Sequence, residues 1–238
     1  MEKINDWYFC DLSQTTSTND AVLDLLKKVK APCIVSSAVQ TNGRGRLGRI
    51  WQSQAGNLYV SFAYQIELKN LGHMVILSAV AVAETLEFFA KFGHFEIKWP
   101  NDVLANGKKI SGILFEKNVD DFWVMGIGIN VRKAPNIENP LYPVTALSEF
   151  DVKTDRITVL QKLVQNFDTL KKLYEAQGFD NIRKMWLDKA YNRGKKVVIK
   201  QNGKEISGIL HDLDENGCLL VKTPQGMQKI IAGDIFGL

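Results

Sequence analysis

The segment Gln40-Thr-Asn-Gly-Arg-Gly-Arg-Leu-Gly-Arg49 lies between two apolar runs and decides which class of α/β fold the chain can adopt. Its part from Gly43 to Gly48 matches the Gly-x-Gly-x-x-Gly pattern of dinucleotide-binding folds. That pattern binds pyrophosphate only where a helix follows, because the helix amides meet the phosphates. Here residues 57–65 alternate as a strand instead. The sequence therefore predicts a strand, a loop and a second strand, and argues against a Rossmann fold.

Upstream of this loop, the pattern predicts a helix over 17–29 and a strand over 33–39. Ser17, Thr18 and Asn19 are good helix-capping residues. Downstream, the chain alternates between strand and helix patterns. The predicted elements are, in order, strand 57–65, helix 73–89, strand 95–99, a hairpin of 103–105 and 109–116 closed by Asn106-Gly107, strand 121–130, a long loop over 131–150, helix 155–174 and helix 179–188.

The predicted elements become short strands and tight turns after about residue 191. Short strands are predicted over 197–199, 207–211, 218–222 and 228–231, separated by glycine-rich turns. Four short strands in about 45 residues are typical of a small β-barrel. We therefore expect two domains, 1–190 and 191–238, with a mixed α+β architecture in the first.

The composition excludes several classes of protein. Of 238 residues, 30 are Lys or Arg and 26 are Asp or Glu, a net charge of +4 that gives no strong case for nucleic acid. The N-terminus shows no secretory signal, and the most apolar run, 74–83, is half the length of a membrane span. Cys10, Cys33 and Cys218 have no metal-ligand spacing. We expect a cytoplasmic protein with reduced thiols and no membrane partner.

Three arginines of the loop, Arg44, Arg46 and Arg49, carry the first chemical signal. Guanidinium groups pair with carboxylate or phosphate, so the loop fits either an anionic small ligand or a nucleic-acid backbone. A solvated basic turn is the ordinary alternative.

Further candidates lie where predicted strands end or begin. They are Asp102 in Lys98-Trp-Pro-Asn-Asp102, Lys109 and Gly112 in the hairpin, and Asn130 after Gly126-Ile-Gly-Ile. Taken alone, Asp102 is better explained as a turn residue and Lys109 as a surface lysine. The sequence shows no Gly-x-Ser-x-Gly elbow, no phosphate loop and no histidine cluster. Cations, glycines and amides favour stabilisation of anions over covalent catalysis by the protein.

Taken in order and spacing, five segments resemble the biotin protein ligases, over about residues 14–238. The segments are Ser17-Thr-Asn-Asp20, Gln40 to Arg49 with Trp51, Lys98-Trp-Pro-Asn-Asp102, Gly107-Lys-Lys-Ile-Ser-Gly-Ile-Leu114 and Gly126-Ile-Gly-Ile-Asn130. The resemblance implies an α+β fold, with a mixed β-sheet flanked by helices as in class II aminoacyl-tRNA synthetases and biotin synthetase. It also implies a small C-terminal SH3-like β-barrel.

The resemblance implies a two-step ligase reaction. Biotin and ATP, with Mg²⁺ as cofactor, would give biotinyl-5′-AMP and pyrophosphate. The biotinyl group would then pass to one lysine of a biotin carboxyl carrier domain. Both monomers and homodimers occur among such proteins, so the oligomeric state stays open.

Site roles carried over from the resemblance fall into three groups. Catalysis would use Lys109, Arg46 and Asp102, with Lys109 between the biotin carboxylate and the α-phosphate, and Asp102 in the second step. The adenylate would contact Arg46, Arg49, Lys109 and Asn130. No metal-ligating residue is assigned, and within 131–150 Tyr142 is a candidate for the adenine-stacking residue. The residues implied for biotin are Ser17, Thr18, Gln40, Gly43, Arg44, Trp51, Gly112 and Ile113.

Two features differ from many relatives. Leu47 stands where some members carry an arginine, and about sixteen residues precede Ser17, too few for a winged helix-turn-helix. We therefore expect a short form without sequence-specific DNA binding. The alternatives are a lipoate–protein ligase, a non-enzymatic nucleic-acid-binding module and a non-catalytic adenylate-binding relative. Gln40 with the arginine loop favours biotin, and the presence of both Lys109 and Asp102 favours catalysis.

Overall fold

The computed structural model describes residues 2–117, 122–137, 142–201 and 203–237. A sheet of eight strands forms the larger part of the molecule. Its strands are β1 (Glu2–Ile4), β2 (Trp7–Leu12), β3 (Cys33–Ser37), β4 (Leu58–Gln65), β5 (Phe95–Lys98), β6 (Asp102–Ala105), β7 (Lys108–Lys117) and β8 (Phe122–Ile129). Their order across the sheet is β1-β2-β3-β4-β8-β7-β6-β5.

The sheet is mixed, because β2 and β3 run parallel while the other neighbours run antiparallel. Four helices cover it: α1 (Thr18–Val29), α2 (Leu71–Phe89), α3 (Arg156–Gln177) and α4 (Phe179–Asp188). Helix α1 packs through Val22 and Leu26 on one face, against Val35 and Ala63. Helices α2, α3 and α4 belong to the main core on the other face. This arrangement confirms the predicted α+β architecture.

Helix α2 supplies much of the main core. The helical stretch Leu68–Phe89 is long and apolar enough to span a membrane by length and composition alone, which the shorter run 74–83 did not suggest. Its residues Ile76, Leu77 and Val80 are buried in the core. Packing within the protein accounts for this apolar composition.

A second sheet of five antiparallel strands follows the helices. It comprises β9 (Lys196–Gln201), β10 (Lys204–Leu213), β11 (Leu219–Thr223), β12 (Gly226–Ile230) and β13 (Asp234–Gly237). The order is β12-β11-β10-β9-β13, so the last strand returns to pair with β9. The predicted small β-structure at the C-terminus is confirmed, with β13 as an additional strand.

Several polar contacts join this second sheet to the first domain, and two of them lie at the turn between β10 and β11. Trp99 Nε1 donates a hydrogen bond to the Gly217 carbonyl at 3.4 Å. His73 Nε2 lies 2.7 Å from the Glu215 carbonyl, and its ring stacks on Phe179 at 4.0 Å. The β10–β11 turn region therefore rests on the beginning of α2.

The structure corrects three sequence-based expectations. Residues 2–12, for which no element was predicted, form the β1–β2 hairpin at the sheet edge. Ser17 precedes α1, but its side chain makes no capping hydrogen bond. The long loop 131–150 contains a 3-10 turn at Leu147–Phe150. The predicted strand start at residue 121, and residues 138–141 of the loop, lie outside the described residues.

Candidate functional site

A cavity of about 330 Å³ opens on the α1 face of the large sheet. It lies between the N-terminus of α1, the loop after β3, and strands β7 and β8. Its volume falls in the range of small-molecule sites. The site residues predicted from sequence that line it are Ser17, Thr18, Gln40, Arg44, Arg46, Arg49, Trp51, Asp102, Lys109, Gly112, Ile113 and Asn130. Gly43 does not line it and lies behind Gln40 and Trp51.

The floor of the cavity is a pair of glycines under an indole ring. Gly112 of β7 and Gly128 of β8 are direct register partners. A Cβ atom at Gly128 would lie 2.4 Å from the Trp51 ring, and one at Gly112 would lie 2.8 Å from it. Only glycine lets the Trp51 ring lie this close to the sheet. The repeated glycines of the sequence therefore reflect steric need and not flexibility.

One end of the cavity holds a fixed set of amides and hydroxyls. Gln40 Oε1 accepts hydrogen bonds from the Thr18 backbone N–H at 2.8 Å and from the Thr18 hydroxyl at 3.0 Å. Gln40 Nε2 donates to Ser53 Oγ at 3.0 Å. The Gln40 side chain thus satisfies the first backbone amide of α1, the role expected of Ser17. Both ends of the Gln40 amide are oriented before any ligand enters.

Asn19 is held in the same way. Its Oδ1 accepts from the buried Ser61 hydroxyl at 2.5 Å, and its Nδ2 donates to Glu116 Oε2 at 2.6 Å. A Cβ atom at Gly126 would lie only 2.4 Å from Asn19 Oδ1, so a side chain there would clash with Asn19. Gly128 therefore leaves room for the Trp51 ring, and Gly126 leaves room for the Asn19 side chain.

Arg44 is occupied by two carboxylates. Its guanidinium makes two 2.8 Å hydrogen bonds to Asp20 and one of 2.9 Å to Glu116 Oε2. The Asp20 and Glu116 contacts raise the pKa of Arg44, and Arg44 lowers the pKa of Asp20. Because it binds Asp20 of α1 and Glu116 of β7, Arg44 links these two elements. Arg44 also lines the cavity, and its contact with a ligand stays a prediction.

Lys109 and Asp102 form an ion pair in the cavity wall, with Lys109 Nζ 2.7 Å from Asp102 Oδ1. A β-bulge in the β6–β7 ladder makes this geometry, because Asp102 pairs with Gly112 while Leu104 pairs with Lys109. In a regular strand, residues three apart point to opposite faces. The extra residue brings Lys109 and Gly112 to the same face, so the cation faces the cavity.

The arginine loop crosses the cavity mouth and contacts both domains. Arg46 Nη1 donates to Asn101 Oδ1 at 2.9 Å, and Asn101 Nδ2 donates to the Ile113 carbonyl at 2.7 Å. Arg49 forms an ion pair with Asp234 of β13. A short 3-10 turn at Arg46–Gly48 separates these two arginines. No long helix follows the Gly-rich segment, which confirms the argument against a dinucleotide-binding loop.

The segment after β8 folds back along the cavity. Lys109 N–H donates to the Pro143 carbonyl at 2.8 Å, and Thr145 N–H donates to the Lys109 carbonyl at 2.9 Å. Asn130 Nδ2 donates to the Thr145 carbonyl at 3.0 Å, while its buried Oδ1 has no partner among the described residues. A buried acceptor of this kind is available to a ligand donor.

Sequence reasoning missed six contributors. Glu116 shares a strand face with Gly112 and Leu114, a parity signal that could have been used. Asp20, Asn19 and Asn101 lie inside quoted motifs but received no role in the site. Ser61 and Asp234 carried no sequence signal, since only the folded chain brings Ser61 against Asn19 and Asp234 to the cavity.

Comparison with known proteins identifies the family. Residues 12–131 match the model of the biotin/lipoate A/B protein ligase family, and residues 194–237 match the biotin protein ligase C-terminal domain. The chain is 31% identical to the biotin–[acetyl-CoA-carboxylase] ligase of Paracoccus denitrificans, over 94% of this chain and 98% of that relative.

Two further similarities agree with this match. The chain is 35% identical over 85% of its length to the bifunctional ligase/repressor BirA of Bacillus subtilis, and it spans 65% of that relative. The biotin protein ligase of Aquifex aeolicus, solved in complex with biotin and ATP, superposes with a TM-score of 0.84 at 32% identity, covering 96% of this chain and 97% of that one. The predicted fold class, with its mixed sheet and SH3-like C-terminal barrel, is confirmed. The chain therefore belongs to the biotin/lipoate A/B protein ligase family, and its C-terminal sheet is the biotin protein ligase C-terminal domain.

Proposed function

We propose that this chain joins biotin to ATP, giving biotinyl-5′-AMP and pyrophosphate, and then transfers the biotinyl group to one lysine of a biotin carboxyl carrier domain. The observation that carries the proposal is the Lys109–Asp102 pair, 2.7 Å apart and facing a cavity of about 330 Å³. The relatives named for biotin ligation and the Aquifex aeolicus complex with biotin and ATP support it.

In the first step, a biotin carboxylate oxygen attacks the α-phosphorus of ATP. A P–O bond forms, and the bond from the α-phosphorus to the bridging oxygen breaks, releasing pyrophosphate. Two anions must approach each other, so a cation at the meeting point lowers the barrier. Lys109 fits this role because the bulge aims it into the cavity beside Gly112.

In the second step, the amine of the carrier lysine attacks the biotinyl carbonyl, and AMP leaves. The attacking nitrogen must lose a proton as the amide forms. Asp102 is 6% exposed, and its carboxylate pairs with Lys109 Nζ at 2.7 Å. When the adenylate engages Lys109, the Asp102 carboxylate becomes available to accept that proton.

The polar end of the cavity favours biotin over lipoate. The ureido group of biotin carries N–H donors and a carbonyl acceptor, and it needs a site whose partners are already oriented. Thr18, Asn19 and Gln40 line the cavity with their polar atoms oriented by hydrogen bonds within the chain, and the buried Ser61 hydroxyl lies behind them. The dithiolane of lipoate offers this polar end of the cavity no hydrogen-bond donor or acceptor, so it gains nothing from that orientation.

Mg²⁺ fits this site as a cation carried by the nucleotide. Among the described residues, no cluster of three His, Cys, Asp or Glu side chains is close enough to hold a metal. Mg²⁺ is commonly bound by substrate phosphates, water and one or two carboxylates. The cavity carboxylates Asp102 and Asp234 are each paired with a cation of the chain, so the phosphates and water would hold the ion.

The proposal also covers the division of the chain into two units and its location in the cell. A catalytic unit over 1–190 and a C-terminal unit over 191–238 agree with the start of β9 at Lys196 and of the C-terminal family match at residue 194. The free state of Cys10, Cys33 and Cys218 supports a cytoplasmic location.

A product test decides the reaction. The purified protein is incubated with Mg²⁺, ATP and either biotin or lipoate, without carrier, and the products are identified by mass spectrometry. We expect biotinyl-AMP and pyrophosphate only with biotin. Lipoyl-AMP would move the chain to the lipoate branch of its family, and no adenylate from either acid, with folded protein, would contradict the proposed chemistry.

A further inference from the structure

Lys98 is a buried lysine that the two-step mechanism above does not use. It ends β5 and is 6% exposed. Its Nζ lies 3.5 Å from the centre of the Tyr142 ring and 5.4 Å from that of Phe236 on β13. Both distances are within the range of cation–π contact. Lys98 is therefore enclosed by aromatic rings from two different parts of the chain.

This ammonium has no carboxylate of its own. Among the described residues, the two carboxylates that act on its charge, Asp102 and Asp234, are paired with Lys109 and Arg49. Burial lowers the pKa of Lys98 to about 8. An unpaired buried ammonium is costly, and it cannot be explained as a surface lysine whose head reaches water. Groups of this kind concentrate at functional sites.

The ring that covers Lys98 is part of the cavity wall. Tyr142 lines the cavity, and Lys109 Nζ lies 6.0 Å from the centre of its ring. In this wall, Lys109 and Arg49 are each neutralised by a partner, whereas Lys98 is not. The charge of Lys98 therefore remains as a fixed positive potential beside the Tyr142 ring, which Lys109 also approaches.

We propose that Lys98 is a positioning residue for the polyphosphate tail of the nucleotide, and that the wall formed by Tyr142 receives the phosphates that leave as pyrophosphate. Lys98 acts through the Tyr142 ring and across a low-dielectric interior, without touching the phosphates. A charge preorganised in this way attracts an anion without the cost of reorienting water. The proposal rests on the proposed function, because that function places a triphosphate in this cavity.

The test compares Lys98→Met and Lys98→Arg with the wild-type protein at pH 7. Calorimetry measures the Kd of Mg²⁺–pyrophosphate and of biotin, and initial rates give KM for ATP and kcat for adenylate formation. We expect Lys98→Met to raise the pyrophosphate Kd and the ATP KM by about tenfold, because a buried positive charge beside the Tyr142 ring no longer attracts the phosphates. The Kd of biotin stays unchanged, and Lys98→Arg restores pyrophosphate binding.

Lys162→Met is the matched control. Lys162 Nζ also lies over an aromatic ring, 4.5 Å from the centre of Phe88, on the far side of the molecule. Its removal deletes a cation–π lysine but leaves the cavity intact. Pyrophosphate binding by Lys162→Met therefore equals that of the wild type.

A pH series gives a second, independent readout. As pH rises through about 8, wild-type Lys98 loses its charge, so pyrophosphate affinity falls. The charged groups facing Lys98 are Asp102, Asp234, Lys109 and Arg49, with the Tyr142 hydroxyl beside them. Lys98→Arg keeps its charge over the whole range. Pyrophosphate itself also titrates, but equally for both proteins, so the ratio of the wild-type Kd to the Lys98→Arg Kd reports the titration of Lys98 alone.

Three outcomes overturn the proposal: wild-type pyrophosphate affinity in Lys98→Met, an equal loss of biotin affinity, or parallel pH curves for the wild type and Lys98→Arg. If Lys98→Met does not fold, the pH comparison alone decides. If the wild type makes no biotinyl-AMP, the proposed function fails, while the pyrophosphate measurements still report on Lys98.

Discussion

At the scale of single residues, the site depends on side chains whose orientation is fixed before a ligand arrives. Gln40, Asn19 and Arg44 each have their polar atoms engaged by neighbours in the chain. Lys109 is aimed by a bulge, and Trp51 by two glycines. Substitutions at these positions should therefore act on individual steps of the reaction more than on folding.

Lys109→Ala should abolish adenylate formation, because it removes the cation from the point where carboxylate meets phosphate. We expect a loss of at least about a hundredfold in pyrophosphate release. Thermal unfolding checks that the fold is retained, and Lys109→Arg is the conservative comparison. Near-normal pyrophosphate release from Lys109→Ala would contradict the assignment.

Gly128→Ala should displace the Trp51 ring, because its Cβ would lie 2.4 Å from the indole. Overpacking of this kind costs about 1–3 kcal/mol of stability, and the displaced ring should weaken biotin binding by about tenfold. Biotin calorimetry measures the effect. Gly112→Ala, with a 2.8 Å approach to the same ring, should give a smaller loss, and the reverse order would count against the steric explanation.

At the scale of elements, the contacts between α1 and β7 hold the end of the cavity where biotin is proposed to bind. Glu116→Gln removes the charge that Arg44 and Asn19 share. Hydrogen bonds to charged groups contribute about 1.5–3 kcal/mol, so we expect the Kd of biotin to rise by tenfold or more. The KM for ATP should stay within twofold. Equal changes for both substrates would show that Glu116 serves only stability.

The loop after β3 is the second element with its own prediction. Arg46→Gly removes the contact to Asn101 and should let the adenylate escape, so that lysines of unrelated proteins become labelled. Blotting for biotin in a mixture of carrier and bystander protein measures this release. Labelling confined to the carrier would show that this loop does not retain the adenylate.

The sequence predicted most of the elements and about half of the residues that line the cavity. Periodicity was sufficient for helix α1 and for the β6–β7 hairpin, because both patterns are local. It could not give the bulge at Lys109 or the β13–β9 pairing, since both depend on contacts made only in the folded chain. The engagement of Arg44 by Glu116, 72 residues away, is invisible for the same reason.

At the scale of the whole molecule, the C-terminal domain takes part in the site. Asp234 of β13 lines the cavity and pairs with Arg49, and Phe236 lies beside Lys98. The two domains therefore share one end of the cavity, where the nucleotide is proposed to bind.

Asp234→Asn tests this sharing. An ion pair with this partial exposure contributes about 0–1 kcal/mol, so we expect a two- to fivefold rise in the KM for ATP and no change in biotin affinity. Lys229→Met is a suitable control, because Lys229 pairs with Asp214 on the same domain but away from the cavity. A loss of the same size in the control would indicate a general weakening of the domain.

Trp51 is placed so that its fluorescence should report whether the cavity is occupied. Trp7, Trp99 and Trp186 are buried in the core, whereas Trp51 forms part of the cavity floor with its Nε1 lacking a partner among the described residues. Emission from this indole should change in wavelength and intensity as the cavity fills, while the buried indoles stay constant. Occupancy could then be followed in real time on the unlabelled protein, with Trp51→Phe as the blank.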